Sequence, residues 1–88
     1  MRYRRHGDVL AQPVDDQVIL LSADQSELLT LNGPGAAVWS ALAEPGTTDE
    51  VTARIVAAWP GADAAVVRAD VVAFVERLVG LGAVVAAD

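Results

Sequence analysis

The 88-residue sequence predicts an α+β fold in which a three-stranded antiparallel sheet is followed by three helices. Three observations predict it. Short runs rich in Val, Ile and Leu alternate with turn residues as far as Leu31, apolar positions recur at helical spacing from Gly33 onward, and a capping residue stands before each helical stretch. The length suits one hydrophobic core, so residues 1–88 are read as a single domain with little room for an elaborate catalytic pocket.

Residues 9–14 read as the first strand, and Pro13, with no N–H to give a ladder, points to an edge position. Asp15 and Asp16 make the turn. Residues 17–22 form the second strand through Val18, Ile19, Leu20 and Leu21, and Ala23, Asp24 and Gln25 provide the next turn. Residues 27–31 form the third strand. Two short turns joining three strands give a meander, with the second strand central and the third at the other edge.

Asn32 is the expected cap of a first helix over residues 33–43; since Pro34 has no N–H, its side-chain bond is expected to go to the amide of Gly35. Ala36, Val38, Trp39 and Leu42 supply its buried face. Thr47 with Glu50 forms a capping-box pattern for a second helix over residues 48–59, where Val51, Ile55 and Trp59 recur on one side until Pro60-Gly61. Asp63 caps the third helix, residues 64–80, whose Val67, Val71, Phe74, Val75 and Leu78 recur until Gly80 or Gly82 stops it. Ala83 to Ala86 is a short apolar tail that packs back on the core. The order of elements is winged-helix-like.

Charge narrows the function classes. Net charge is −6, and after Arg5 the chain carries three arginines against twelve carboxylates, a surface that repels phosphate backbones. A winged-helix DNA-binding protein is the less favoured alternative, because the third helix offers Arg68 and Arg77 against Asp70 and Glu76. There is no cysteine, which removes disulfides, thiolate metal sites and a cysteine nucleophile and fits a reducing, cytoplasmic setting. The longest uncharged stretch, Leu28 to Ala43, is broken by Asn32, Gly33, Pro34 and Gly35, so no membrane segment is expected.

No enzyme, metal site or cofactor is expected. His6 is the only imidazole, sits in the basic amino terminus without a carboxylate cluster, and reads as a solvated tail residue. Ser22, Ser26 and Ser40 lack a nucleophile elbow, and Gly33-Pro34-Gly35 lacks the Gly-Lys-Ser/Thr ending of a phosphate loop. Trp39 and Trp59 fall on apolar helical faces and read as core pillars. Asp70, between Val67 and Val71, either caps the edge of the core or faces a groove. The third strand is unguarded: it has one charge, no proline and three leucines, so either another element or a second copy covers it or it is a template for an incoming strand.

Leu31-Asn32-Gly33-Pro34-Gly35-Ala36-Ala37-Val38-Trp39 resembles the strand-to-helix signature of PqqD-like proteins, Leu-Asn-x-x-Gly-x-x-Ile/Val-Trp. Thr47 to Val51 follows at a family-like distance, and Asp70 to Gly82 is similar to the Asp-Val-x-x-Phe-Leu-x-x-Leu pattern, with Val75 in place of the usual leucine. Leu28 and Leu29 stand where the family often has aromatic residues.

The resemblance implies a RiPP recognition element, which binds the leader peptide of a ribosomally made precursor. The leader would add as a fourth antiparallel strand along Glu27, Leu28, Leu29, Thr30 and Leu31 and rest against Val67, Asp70, Val71 and Phe74 of the third helix. Asp70 would pair with a basic leader residue and Val67, Val71 and Phe74 would receive apolar ones. The size resembles the discrete B1 proteins of lasso-peptide clusters, which deliver the leader to a separate cysteine-type, B2-like leader peptidase ahead of a macrolactam cyclase. The alternative within the family is the PqqD-type partner of a radical-SAM enzyme in pyrroloquinoline quinone synthesis.

Overall fold

Alternation of side chains along consecutive strands allows a sheet to bury one face while the other stays wet, and this is the arrangement in the computed structural model, which describes residues 1–87. Eight elements follow in order: β1 (Tyr3–Arg5), β2 (Leu10–Val14), β3 (Gln17–Leu21), β4 (Leu28–Leu31), α1 (Gly33–Ala41), α2 (Thr48–Ala58), α3 (Ala64–Gly80) and β5 (Val84–Ala86). The antiparallel sheet has the order β2-β3-β4, as the meander predicts. Val18 pairs with Leu31 and Leu20 with Leu29, and these four turn one face to the helices, where Leu20 and Leu31 are each only 2% exposed. Leu10, Leu21 and Leu28 form a cross-strand row on the opposite face.

The turns are made by side chains suited to them. Asp15 adopts φ 56° between β2 and β3, a conformation aspartate tolerates better than most residues. Between β3 and β4, Asp24 Oδ1 accepts bonds from Ser22 Oγ at 2.7 Å, Ser26 Oγ at 2.6 Å and Ser26 N–H at 3.1 Å. The two hydroxyls lead in pulling its carboxyl down to about 2.

Helix entry differs from expectation at α1. The Asn32 side chain makes no capping bond; the Gly35 amide donates instead to the Asn32 backbone carbonyl at 3.1 Å. Gly33 at φ 51° bends the chain into a tight turn, so the carbonyl occupies the place the side chain was expected to take. The helix ends at Ala41, short of residue 43, and its carboxyl end is held by a distant group: Arg54 of α2 donates to the carbonyls of Ala41, Glu44 and Pro45 at 3.0, 2.8 and 3.1 Å.

The other two caps are as predicted. Thr47 Oγ1 accepts from Glu50 N–H at 3.1 Å and Glu50 Oε1 from Thr47 N–H at 2.9 Å, a bond that lowers the Glu50 carboxyl pKa. Asp63 accepts from Ala65 and Val66. Gly82, not Gly80, terminates α3: at φ 74° it lets Ala83 N–H reach Leu78 C=O and its own N–H reach Val79 C=O, the paired bonds of a Schellman motif.

The apolar tail packs on the core as expected, through Ala83 and Val84, but the amino terminus corrects the sequence reading. The basic amino terminus is not a tail, because β1 pairs with β5 in a second, two-stranded sheet, with Tyr3 opposite Ala86 and Arg5 opposite Val84. His6 is half-buried; its N–H donates to Ala83 C=O and its Nδ1 accepts from the Asp8 amide. Arg5 lies 4.5 Å from the centroid of the Trp39 ring and donates to the Trp39 carbonyl, and its burial lowers the guanidinium pKa. Trp39 is the core pillar expected. Trp59 is not: it stands at the end of α2, 55% exposed, because Pro60 and Gly61 turn the chain before that last helical position can be covered.

Candidate functional site

Hydrogen bonding in the loop before β4 settles which way the edge amides face. Ser22 N–H donates to Glu27 C=O at 3.0 Å, in the same register that pairs Leu20 with Leu29 and Val18 with Leu31. In an antiparallel ladder bonded and non-bonded pairs alternate, so Glu27, Leu29 and Leu31 turn their backbone groups toward β3. Leu28 and Thr30, paired with Leu21 and Ile19, direct both N–H and C=O to the open side. Leu28 is 73% exposed, and Thr30 is exposed as well.

The same alternation carried across β3 distinguishes the two edges. Because Val18 and Leu20 bond to β4, Gln17, Ile19 and Leu21 bond to β2, which leaves Ala11 and Pro13 pointing outward on β2. Pro13 has no N–H, so the β2 edge lacks one of its outward donors. The β4 edge has both. The sheet therefore presents one edge fit to pair with an incoming strand and one that is blunted.

Of the five predicted β4 residues, Leu28 and Thr30 offer backbone bonds, Glu27 and Leu29 place side chains on the helix-facing side of the sheet beside Leu81 and Ala83, and Leu31 is part of the core. On α3, Phe74 reaches the strand-to-helix junction. A Cβ on Gly35 would lie 2.8 Å from Phe74 Cε1 and 3.3 Å from Leu31 Cδ2, so only glycine lets the ring lie against this turn.

Val67, Asp70 and Val71 line a groove of about 340 Å³ between the start of α1, the end of α2 and the first half of α3. Val67 is half-buried and Val71 is closed to solvent. Asp70 faces this groove, which decides between the two roles open in the sequence: it makes no hydrogen bond or ion pair among the described residues and caps nothing. It is the only charged residue in a lining otherwise made of Gly, Pro, Ala, Val, Ile and Trp. The sequence reading missed Pro34 and Trp59 as part of this wall; Pro60-Gly61 directly after Trp59 is the signal that it closes the helix rather than continues its buried stripe.

The structure thus offers two outward backbone donor–acceptor pairs on β4 and, separately, an apolar groove with one carboxylate whose lining includes no β4 residue. Among the described residues no three His, Asp or Glu side chains are grouped to hold a metal ion, and no helix is long and apolar enough to cross a membrane.

Residues 17–84, which span β3 to the start of β5, match the family Coenzyme PQQ synthesis protein D (PqqD). The chain belongs to the PqqD family. Its match contains β4 and the whole of α1, α2 and α3, the elements that form the open edge and the groove, and leaves out β1 and β2. Among solved structures this PqqD-family chain is similar to TbiB1 in complex with the TbiA(beta) leader peptide, with a TM-score of 0.80 and 26% identity over 97% of this chain and 99% of that one. No curated protein sequence matches it.

Proposed function

We propose that residues 1–88 form one non-catalytic recognition domain that captures the leader peptide of a ribosomally made precursor by strand addition to β4. The observation that carries this reading is the asymmetry of the sheet: the β4 edge offers the N–H and C=O of both Leu28 and Thr30, whereas Pro13 blunts the edge of β2. The likeness to TbiB1, itself solved with a leader peptide, supports it.

On this reading Leu28 and Thr30 bond the leader backbone, Glu27 and Leu29 flank it, and Leu31 holds the edge in place from the core. Val67 and Asp70 meet leader side chains, with Asp70 receiving a cationic one, while Val71 and Phe74 support the wall. The domain acts in the cytoplasm and hands the bound leader to a separate cysteine-type peptidase, ahead of a macrolactam cyclase, raising the rate by holding substrate near the enzyme. The family name favours a second reading, a partner of a radical-SAM enzyme in pyrroloquinoline quinone synthesis.

The test is a titration of fluorescein-labelled leader segments, synthesised from whatever short reading frames flank the gene and, as a reference, the TbiA(beta) leader peptide, with anisotropy as readout. Saturable binding that the Thr30→Pro variant loses supports strand addition; no binding by the wild-type protein refutes the function. A neighbouring radical-SAM gene without a peptidase gene would select the second reading. The purified domain alone is expected to leave the precursor intact.

A further inference from the structure

We propose that the outer face of the β2-β3-β4 sheet is a self-association surface, on which a second copy of this chain packs face to face. The contact is separate from peptide capture. Packing through faces leaves the outward backbone groups of Leu28 and Thr30 free, whereas pairing two β4 edges would occupy them.

The strand registers define that face. Leu10, Leu21 and Leu28 cross it in one row, and Gln12, Ile19 and Thr30 in the next. Val14 and Gln17 close the far end, so the face carries no charged side chain, in a chain whose net charge is −6. α1 packs on β3 and β4 from the opposite side, where Leu20 and Leu31 are buried. On the outer face Leu28 is 73%, Leu10 59% and Val14 42% exposed. A sheet with one wet face ordinarily carries polar and charged residues there, so open leucines in their place mark a contact surface.

Charge and area select the occupant. Asp8 and Asp24 flank one end of the face and Asp15 and Asp16 the other, all of them exposed. A partner of opposite charge would be drawn to those carboxylates. A second copy, equally acidic, approaches best where neither surface carries charge, and this face meets that condition. Its side chains expose on the order of 500 Å² per copy, so a pair would bury roughly the 1,000 Å² in total that a specific interface needs. The contact maps onto itself about a twofold axis near Ile19, in the central strand, which makes it isologous and closed at two copies.

Sedimentation equilibrium from about 1 µM to about 1 mM protein, at low and high NaCl, tests the proposal. The wild-type chain is expected to dimerise with a Kd of roughly 10–100 µM, as suits an interface at the lower limit of size. High salt should tighten the dimer, because it screens the two acidic bodies from each other. Leu10→Glu on β2 should weaken it at least about 10-fold by placing an unpaired carboxylate in the contact, with little change in a dilute thermal melt. Gln12→Glu, which keeps size and shape, tests the same face should Leu10→Glu unfold.

Cross-linking locates the contact. Because the chain has no cysteine, Ile19→Cys places a single thiol at the middle of the face, and sheets packed face to face lie about 10 Å apart. A bismaleimide of that span should join two copies through Ile19→Cys at concentrations where Ser40→Cys, exposed on α1, stays unlinked. A wild-type chain that is monomeric at every concentration and salt overturns the proposal. So does a dimer that Leu10→Glu and Gln12→Glu leave intact, or one that Ile19→Cys fails to cross-link, since pairing of two β4 edges would keep the β3 positions apart.

Discussion

Substituting proline at adjacent positions of β4 separates the edge's two sets of backbone groups. Leu29 donates its N–H to β3, so Leu29→Pro deletes an internal ladder bond and drives the ring toward the neighbouring strand, a loss of roughly 3 kcal/mol or more. In a domain of this size about 1 kcal/mol moves Tm by roughly 4–8 °C, so a fall of about 12–24 °C or outright unfolding is expected. Thr30 points its N–H to the open side, so Thr30→Pro removes no bond of the sheet and should cost no more than about 1 kcal/mol. In the complex it removes one bond to the leader, about 0.5–1.5 kcal/mol net, and its ring obstructs the peptide carbonyl, so binding should weaken about 10-fold or more. Far-ultraviolet circular dichroism melts and anisotropy titrations with the labelled leader measure the two effects. A Thr30→Pro protein that melts near wild type and binds the leader equally well would show that the leader does not pair with this edge. If both prolines lower Tm alike, the assignment of alternating amides is wrong.

Asp70→Ala should change Tm by only a few degrees, since Asp70 has no partner among the described residues, and should weaken leader binding by about 10-fold through loss of a charge-assisted contact; unchanged affinity would remove Asp70 from the site. Gly35→Ala should lower stability by about 1–3 kcal/mol, because the new Cβ forces Phe74 and Leu31 apart, and a melt matching wild type would contradict that packing. Asp24 and Glu50 are carboxylates with depressed folded-state pKa values, so each contributes stability that is present above the ordinary carboxylate range and lost as pH falls through the folded value. For Asp24 that loss runs from its usual 3.8 down to about 2; Tm measured over this window should fall less steeply in Asp24→Asn than in wild type.

Local patterning makes much of the fold legible in the chain itself. The strand runs, the Thr47–Glu50 box, the Asp63 cap and the order β2-β3-β4 depend on neighbours a few residues apart, and each appears in the structure. The candidate site is half legible: an unguarded third strand and an apolar α3 face point to β4 and to Val67 and Asp70, while the structure shows Gly35 of the family signature against Phe74 and Leu31. Expectations fail where a residue's role depends on distant chain. Asn32 has the chemistry of a cap, but Gly33 at φ 51° gives the Gly35 amide to the backbone. Trp59 keeps helical phase with Val51 and Ile55, yet the chain turns away before it is covered.

By itself, the sequence determined the classes of element, the excess of negative charge and the family signature, because these follow from composition and short-range spacing. Tertiary structure alone decided that residues 3–5 and 84–86 form a ribbon, that Arg54 caps α1, and that Asp70 faces a groove rather than a cap. It also decided that Leu28 and Thr30, not Leu29, offer their amides to a partner. The physical reason is that side-chain alternation is written along a strand, whereas the direction of its backbone bonds depends on the register with a second strand, which a one-dimensional pattern does not contain.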